Sequence, residues 1–316
     1  MKRTITWMSV GLLVGCSAQG DSMFTHQGQI MAQASGVVLS EDGSEGLAGM
    51  FGTTCRFDAQ MGMLSGDFDQ GGDEVVEDGN DSGVVLTRNK AGIHELSPYG
   101  GDVSAGMDVR DEAQVEFQTT EIEGVIAARW VGDDPVALSF SGEACTMHWL
   151  GEHSSTLQLE SAVCDQYTGM TVDPTSGNVF VGHANGIILA DALGFSEWLD
   201  TGVDTLVWDV VTNVLYVTMD DGRLLLALED DGQQRWSYIV PSGVTAISHM
   251  GPMGAVVAME RGQNGRGILA VYDGVTGDGL ESVPTPSAAN GLAISPNGST
   301  MAIVVDEYVH LFGVNN

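Results

Sequence analysis

Positive charge is scarce in this chain. Its 316 residues carry 11 lysines and arginines against 43 aspartates and glutamates, a formal net charge of −32. Beyond Lys2, the sole lysine is Lys90. A surface of that sign repels nucleic-acid phosphates and anionic lipid headgroups, which excludes both as direct partners. It suits either solvation in a salty medium or contact with cationic partners and divalent ions. A second lack concerns local order: no stretch sustains the apolar stripe of an amphipathic helix, so the chain reads as all-β.

Catalytic signatures are missing too. The seven histidines, His26, His94, His148, His153, His183, His249 and His310, are scattered. His148 and His153 are five apart, which on a strand puts them on opposite sides and makes no zinc motif. There is no Gly-x-Ser-x-Gly elbow and no glycine-rich phosphate loop ahead of a helix. Met170 and Met219 read as core filler rather than ligands.

Cysteine is sparse, with four in all. Setting aside Cys16, an odd set of Cys55, Cys145 and Cys164 implies one bridge and one spare thiol. The nearest pair in sequence is Cys145 and Cys164. A bridge there closes a loop of about twenty residues and contributes roughly 3 kcal/mol in the chain-entropy view. The spacing alone leaves all three pairings open, and no basic cluster beside any of them marks a catalytic thiol.

What the chain has in abundance is turns. Forty-three glycines and scattered Asn-Gly and Asp-Gly pairs punctuate short apolar runs. The clearest unit lies around residues 203–239. Val214–Met219 and Leu224–Leu228 flank Asp220-Asp221-Gly222, the signal of a tight hairpin. Val203–Val210 supplies a strand before them, and Gln233–Ile239 one after, beyond a second turn at Asp230-Asp231-Gly232. Four short strands in about forty residues make one blade of a β-propeller.

A glycine-led apolar segment recurs at Gly36, Gly83, Gly124, Gly186, Gly222 and Gly267, with weaker counterparts at Ser155 and Tyr308. Each is expected to be the return strand of a blade's hairpin. Inner strands are expected at Met170, Leu206, Thr245 and Leu292, where charge is low, as burial on both faces requires. The expected fold is a single all-β propeller of four-stranded blades closed by an N-terminal strand. Seven units run from about Met63 to Val314; residues 29–60 either complete the last or form an eighth, and seven is preferred because the segment ending at YVHLFGVNN offers only three strands.

The N-terminus carries an address. Lys2 and Arg3 precede the mostly apolar Trp7–Val14, too short to span a membrane, and Leu13-Val14-Gly15-Cys16 resembles the lipobox of bacterial lipoproteins. That resemblance implies removal of residues 1–15 and acylation of Cys16, with residues 16–28 as a polar tether and residues 29–316 as the propeller. Ser17, in place of an inner-membrane retention aspartate, favours the outer membrane.

Two further resemblances concern the blades. Residues 65–92, with Asp67, Asp69 and Asp73 and the turn at Gly72, resemble the calcium loops of FG-GAP repeats, in which hard oxygen ligands crowd a tight turn. Gly71 stands where a third ligand is expected, so a solvated acidic loop is the alternative. Residues 221–236, with Gly222, Ala227-Leu228, Gly232 and Trp236, resemble the PQQ-type propeller repeat, echoed at Gly186, Asp191, Gly194 and Trp198; in that family the tryptophan docks one blade on the next. The segments at Asp173 and Ser295 resemble YVTN and WD40 repeats.

Together these imply an outer-membrane lipoprotein whose propeller is a non-catalytic scaffold for an envelope protein. The alternatives are a calcium-linked adhesion or glycan-binding module, and a hydrolase or lactonase assembled at the propeller's mouth from distant loops. No cofactor is expected other than the possible calcium, and the membrane is met through the lipid alone.

Overall fold

Asp220-Asp221-Gly222 closes its hairpin because all three residues adopt left-handed backbone, with φ of 57°, 55° and 76°. Gly222 permits no substitute: a Cβ there would lie 2.2 Å from the Val244 carbonyl oxygen. Its N–H is held by Asp204 at 2.8 Å. From this hairpin the blade is built, and from the blade the ring.

The computed structural model describes residues 22–31, 34–39, 43–50, 53–60, 62–68, 74–76, 84–88, 93–98, 120–131, 134–150, 154–262, 265–289, 291–295, 297–305 and 308–315. Strand β1 (Phe24–Met31) leads. The first blade is β2 (Ala34–Leu39), β3 (Glu45–Met50), β4 (Thr53–Asp58) and β5 (Met63–Phe68). The second is β6 (Glu74–Val76), β7 (Val84–Arg88), β8 (Ile93–Pro98) and β9 (Thr120–Glu123). Blade three comprises β10 (Val125–Val131), β11 (Asp134–Phe140), β12 (Cys145–Trp149) and β13 (Ser155–Leu159), followed by the short helix α1 (Ser161–Asp165).

Blade four is β14 (Tyr167–Asp173), β15 (Asn178–His183), β16 (Gly186–Asp191) and β17 (Gly194–Leu199). Blade five is β18 (Thr205–Asp209), β19 (Val214–Met219), β20 (Leu224–Leu228) and β21 (Gln234–Ile239). Blade six is β22 (Val244–Met250), β23 (Ala255–Arg261), β24 (Gly267–Asp273) and β25 (Gly279–Thr285). The last holds β26 (Gly291–Ile294), β27 (Thr300–Val305) and β28 (Tyr308–Val314), and β1 completes it by pairing antiparallel with β28.

Seven four-stranded antiparallel sheets thus stand among the described residues. Their first strands pack in succession, β2 on β6, β6 on β10, then β14, β18, β22, β26 and back to β2, which closes the ring. The core is divided accordingly. One apolar cluster joins blades five and six through Tyr216, Leu225, Trp236, Val256 and Ala258; others join three to four, four to five, six to seven and seven to one.

Two tryptophans latch neighbouring blades. The Trp198 indole N–H of β17 donates to the Asp230 carbonyl 3.1 Å away in blade five. Trp236 of β21 repeats the bond one blade on, to Gly274 at 3.0 Å, with Gly277 seated on its ring. These are the residues singled out by the PQQ-type resemblance, and their role is packing.

Several expectations need correction. The glycine-led segments do not share one rank: those at Gly186, Gly222, Gly267 and Tyr308 are third strands, whereas Gly36 lies in the inner strand β2, Gly124 is the turn residue just before the inner strand β10 and Ser155 begins the outer strand β13. Residues 34–68 form a blade of their own rather than part of the last, so the first blade begins well before Met63. The closing strand also starts at Phe24, inside the stretch expected as tether. Phe24 and Ile30 are buried against the last blade, which overrides the polar composition between them.

Cys145 of β12 and Cys164 of α1 are joined by a disulfide, Cα–Cα 5.5 Å, that ties the connection between blades three and four to the sheet it leaves. The chain ends meet in the last blade: Asn315 donates its backbone N–H to Met23 at 2.7 Å and its side-chain amide to the Ser22 carbonyl at 2.9 Å.

Candidate interaction face

In an up-and-down blade the turns joining first to second strand and third to fourth emerge on the same face. Those turns touch from blade to blade. A Cβ on Gly298 would lie 3.3 Å from Pro252, one on Gly251 3.6 Å from Val211, and one on Gly254 3.3 Å from Thr212. Gly274 in turn donates its N–H to the Gly254 carbonyl at 2.8 Å. A continuous surface therefore runs across blades five, six and seven.

Three consecutive blades build the same device on this face. An aspartate at the end of a strand accepts the backbone N–H of the residue two ahead, an Asx turn that fixes the loop without a second strand. Asp191 holds Leu193 at 2.7 Å, Asp209 holds Val211 at 2.9 Å and Asp273 holds Val275 at 2.9 Å. In these three the residue so held is apolar and points outward, Leu193 being 96% exposed and Val211 and Val275 61%, whereas the same turn at Asp173 holds the polar Thr175 at 2.9 Å. Val210 adds to the middle position, and Leu193 with Phe195 lines a shallow cleft of 340 Å³ in blade four.

The central turn is the most heavily braced. Asp209 is fully buried, accepts the Thr212 hydroxyl at 2.8 Å and the Tyr216 hydroxyl at 3.4 Å, and faces His249 Nδ1 of the next blade at 4.0 Å. Burial pushes the Tyr216 phenol well above its usual range. Arg235 directs its guanidinium to the Thr212 carbonyl at 3.4 Å and to both oxygens of Glu229 at 2.6 and 2.7 Å. The hydrogen bond from Arg235 holds Glu229 below the usual carboxylate range, so this cation is matched.

The carboxylates around the patch are not matched in that way. Asp191, Asp230, Asp231 and Asp278 are exposed. Backbone N–H groups of Thr276 and Val275 hold Asp273 below its usual value, so it stays charged through mild acid. The face is apolar at its points and negative between them.

Cys16, Asp69 and Asp73 lie outside the described residues, as do the side chains of Cys55 and Asp67; the backbone of Asp67 sits in β5 opposite Cys55. Among the described residues no group of three or more His, Cys, Asp or Glu is placed to hold a metal, and no helix is long and apolar enough to cross a membrane. The outward Leu193, Val211 and Val275 were not singled out from the sequence, because an apolar residue in a turn looks like the end of a strand. A signal existed nonetheless: Asp-x-apolar, with the aspartate closing a run, at Asp191-Ala192-Leu193, Asp209-Val210-Val211 and Asp273-Gly274-Val275.

No protein-family model matches this chain, and no curated protein does. Solved structures do. The β-propeller domain of Myceliophteria thermophila Cps50 (Swd1) superposes with a TM-score of 0.68 at 11% identity, over 92% of this chain and 100% of that one. A chain of the mitotic checkpoint complex gives 0.67 at 16% identity, over 96% and 100%. At such identities the likeness concerns fold: the chain is a β-propeller.

Proposed function

We propose that this propeller is a binding scaffold for another protein, carried at the outer membrane of a bacterial envelope on a lipid attached to Cys16. The observation that supports binding is the row of outward apolar residues on blades four to six, each clamped by its own aspartate. Side chains fixed before contact lose little freedom on association, which favours recognition over collapse onto themselves. The second structural neighbour is a component of a multiprotein complex, in keeping with the same use of the fold. The anchor rests on the sequence: Lys2 and Arg3, the apolar Trp7–Val14 and the box ending at Cys16.

In-cell photo-crosslinking from Val211 and from Thr201 on the opposite face, with membrane fractionation of a Cys16→Ser variant alongside, tests both halves. Capture of the same protein repeatedly from either position, and release of the variant from the membrane fraction, is the expected result. Recovery of uncrosslinked monomer from both positions sinks the scaffold, and a variant that still sediments sinks the anchor.

A further inference from the structure

We infer that the partner presents to blades four to six a segment that is apolar along one side and basic on its flanks, such as a cationic amphipathic helix; this rests on the binding role just proposed and names its chemistry. The apolar component follows from Leu193, Val211 and Val275. Large side chains at 61% to 96% exposure are stabilised by leaving water, and nothing within the described chain covers them. Two of the three are linked directly through the fold, since Thr212 packs on Gly254 and Gly254 bonds Gly274, the residue before Val275.

The basic component follows from what surrounds them. Asp191, Asp230, Asp231 and Asp278 stand exposed between the apolar points, Asp273 stays ionised, and Arg235 is already matched by Glu229. On a chain of net charge −32 this rim attracts cations and repels its own kind. A second copy of the chain would bring acid against acid, and an anionic lipid surface would do the same. Charge therefore selects among apolar partners and leaves the basic one.

The anchors sit on stiff supports. Each outward residue has its N–H committed to an aspartate at 2.7 to 2.9 Å, and Trp198 and Trp236 hold the outer strands of blades four and five to the turns of the next blade. Spacing between contact points is thus set by blade packing, so the partner must match it with side chains on one face.

The test uses the full chain and two synthetic helical peptides of eighteen residues, one of leucine and lysine in amphipathic register and one of leucine and glutamate in the same register. Titration calorimetry at low and high salt is run on the native protein and on Val211→Ser with Val275→Ser, which leaves charge untouched. The expected result is binding of the lysine peptide alone, weakened by salt over the range where the Debye length shrinks below ~10 Å. The double variant should weaken it by about tenfold or more. Thermal unfolding of the variant, expected unchanged because both residues are exposed, shows that the fold is retained. Equal affinity for the double variant and the native protein overturns the inference, since attraction would then be charge alone; so does binding of the glutamate peptide. Crosslinks obtained from Thr201 but never from Val211 would overturn this inference while leaving the scaffold role standing.

Discussion

Asp209 shows how one side chain governs a face. It is fully buried, and its two oxygens serve the Val211 N–H, the Thr212 hydroxyl and the Tyr216 hydroxyl. Replacing it with alanine strands those donors, at roughly 2–3 kcal/mol by urea unfolding. Asparagine keeps an acceptor for Val211 and should lose about half as much. His148 makes a second prediction at this scale. Burial holds its pKa below the usual 6.5, as it does for His26 and His183. As pH falls, the unfolded chain takes up these protons first, so their contribution is complete above 6.5 and is lost as pH drops through the folded values. The native melting temperature should drop between about pH 7.5 and about pH 5.5 more than that of His148→Gln, in which one such group is gone. An equal or larger drop in the variant would contradict the assignment.

At the scale of strands, the latch between blades is the feature with the sharpest consequence. Trp236→Phe keeps the ring against Tyr216 but removes the bond to Gly274, a loss of about 1 kcal/mol; Trp236→Ala empties the seat of Gly277 and should cost about 3–5 kcal/mol. Denaturant midpoints of the two variants measure the difference. This is also the scale at which the sequence was most legible. The hairpin of Val214–Met219 and Leu224–Leu228 stands at the residues read from the turn, and the inner strands at Met170, Leu206, Thr245 and Leu292 fall within β14, β18, β22 and β26. Low charge marks an inner strand because it is buried on both faces. A glycine before an apolar run marks a strand but not its rank, which is why the runs after Gly36 and Gly124 proved to be inner strands and those after Gly186 and Gly267 third ones. Of the candidate face, the aspartates were plain as acids, but their use as clamps depends on backbone geometry that no single residue announces.

For the ring as a whole, closure is the decisive event. β1 pairs with β28 from Phe24 opposite Val314 to Met31 opposite Tyr308, and without it β28 presents an open edge. A chain lacking residues 22–31 should therefore associate, with light scattering showing species larger than monomer where the native protein shows none. Retention of a monomer with native thermal stability would mean that the edge is protected by other means. The need for a fourth strand in the last blade was readable from its three-strand remainder; the starting residue was not, because Phe24 and Ile30 are separated by a run of largely exposed residues, with a register break between His26 and Gly28, that shows no strand alternation.

The bonds between Asn315 and both Ser22 and Thr25 have a consequence for how the circle can be cut. With its two described ends fastened side by side, the toroid has no privileged first blade. A permuted gene that splices residue 315 to residue 22 through a short linker, and opens the chain instead at the exposed Ala192-Leu193 turn, encodes the same closed architecture with its entrance moved to the far side.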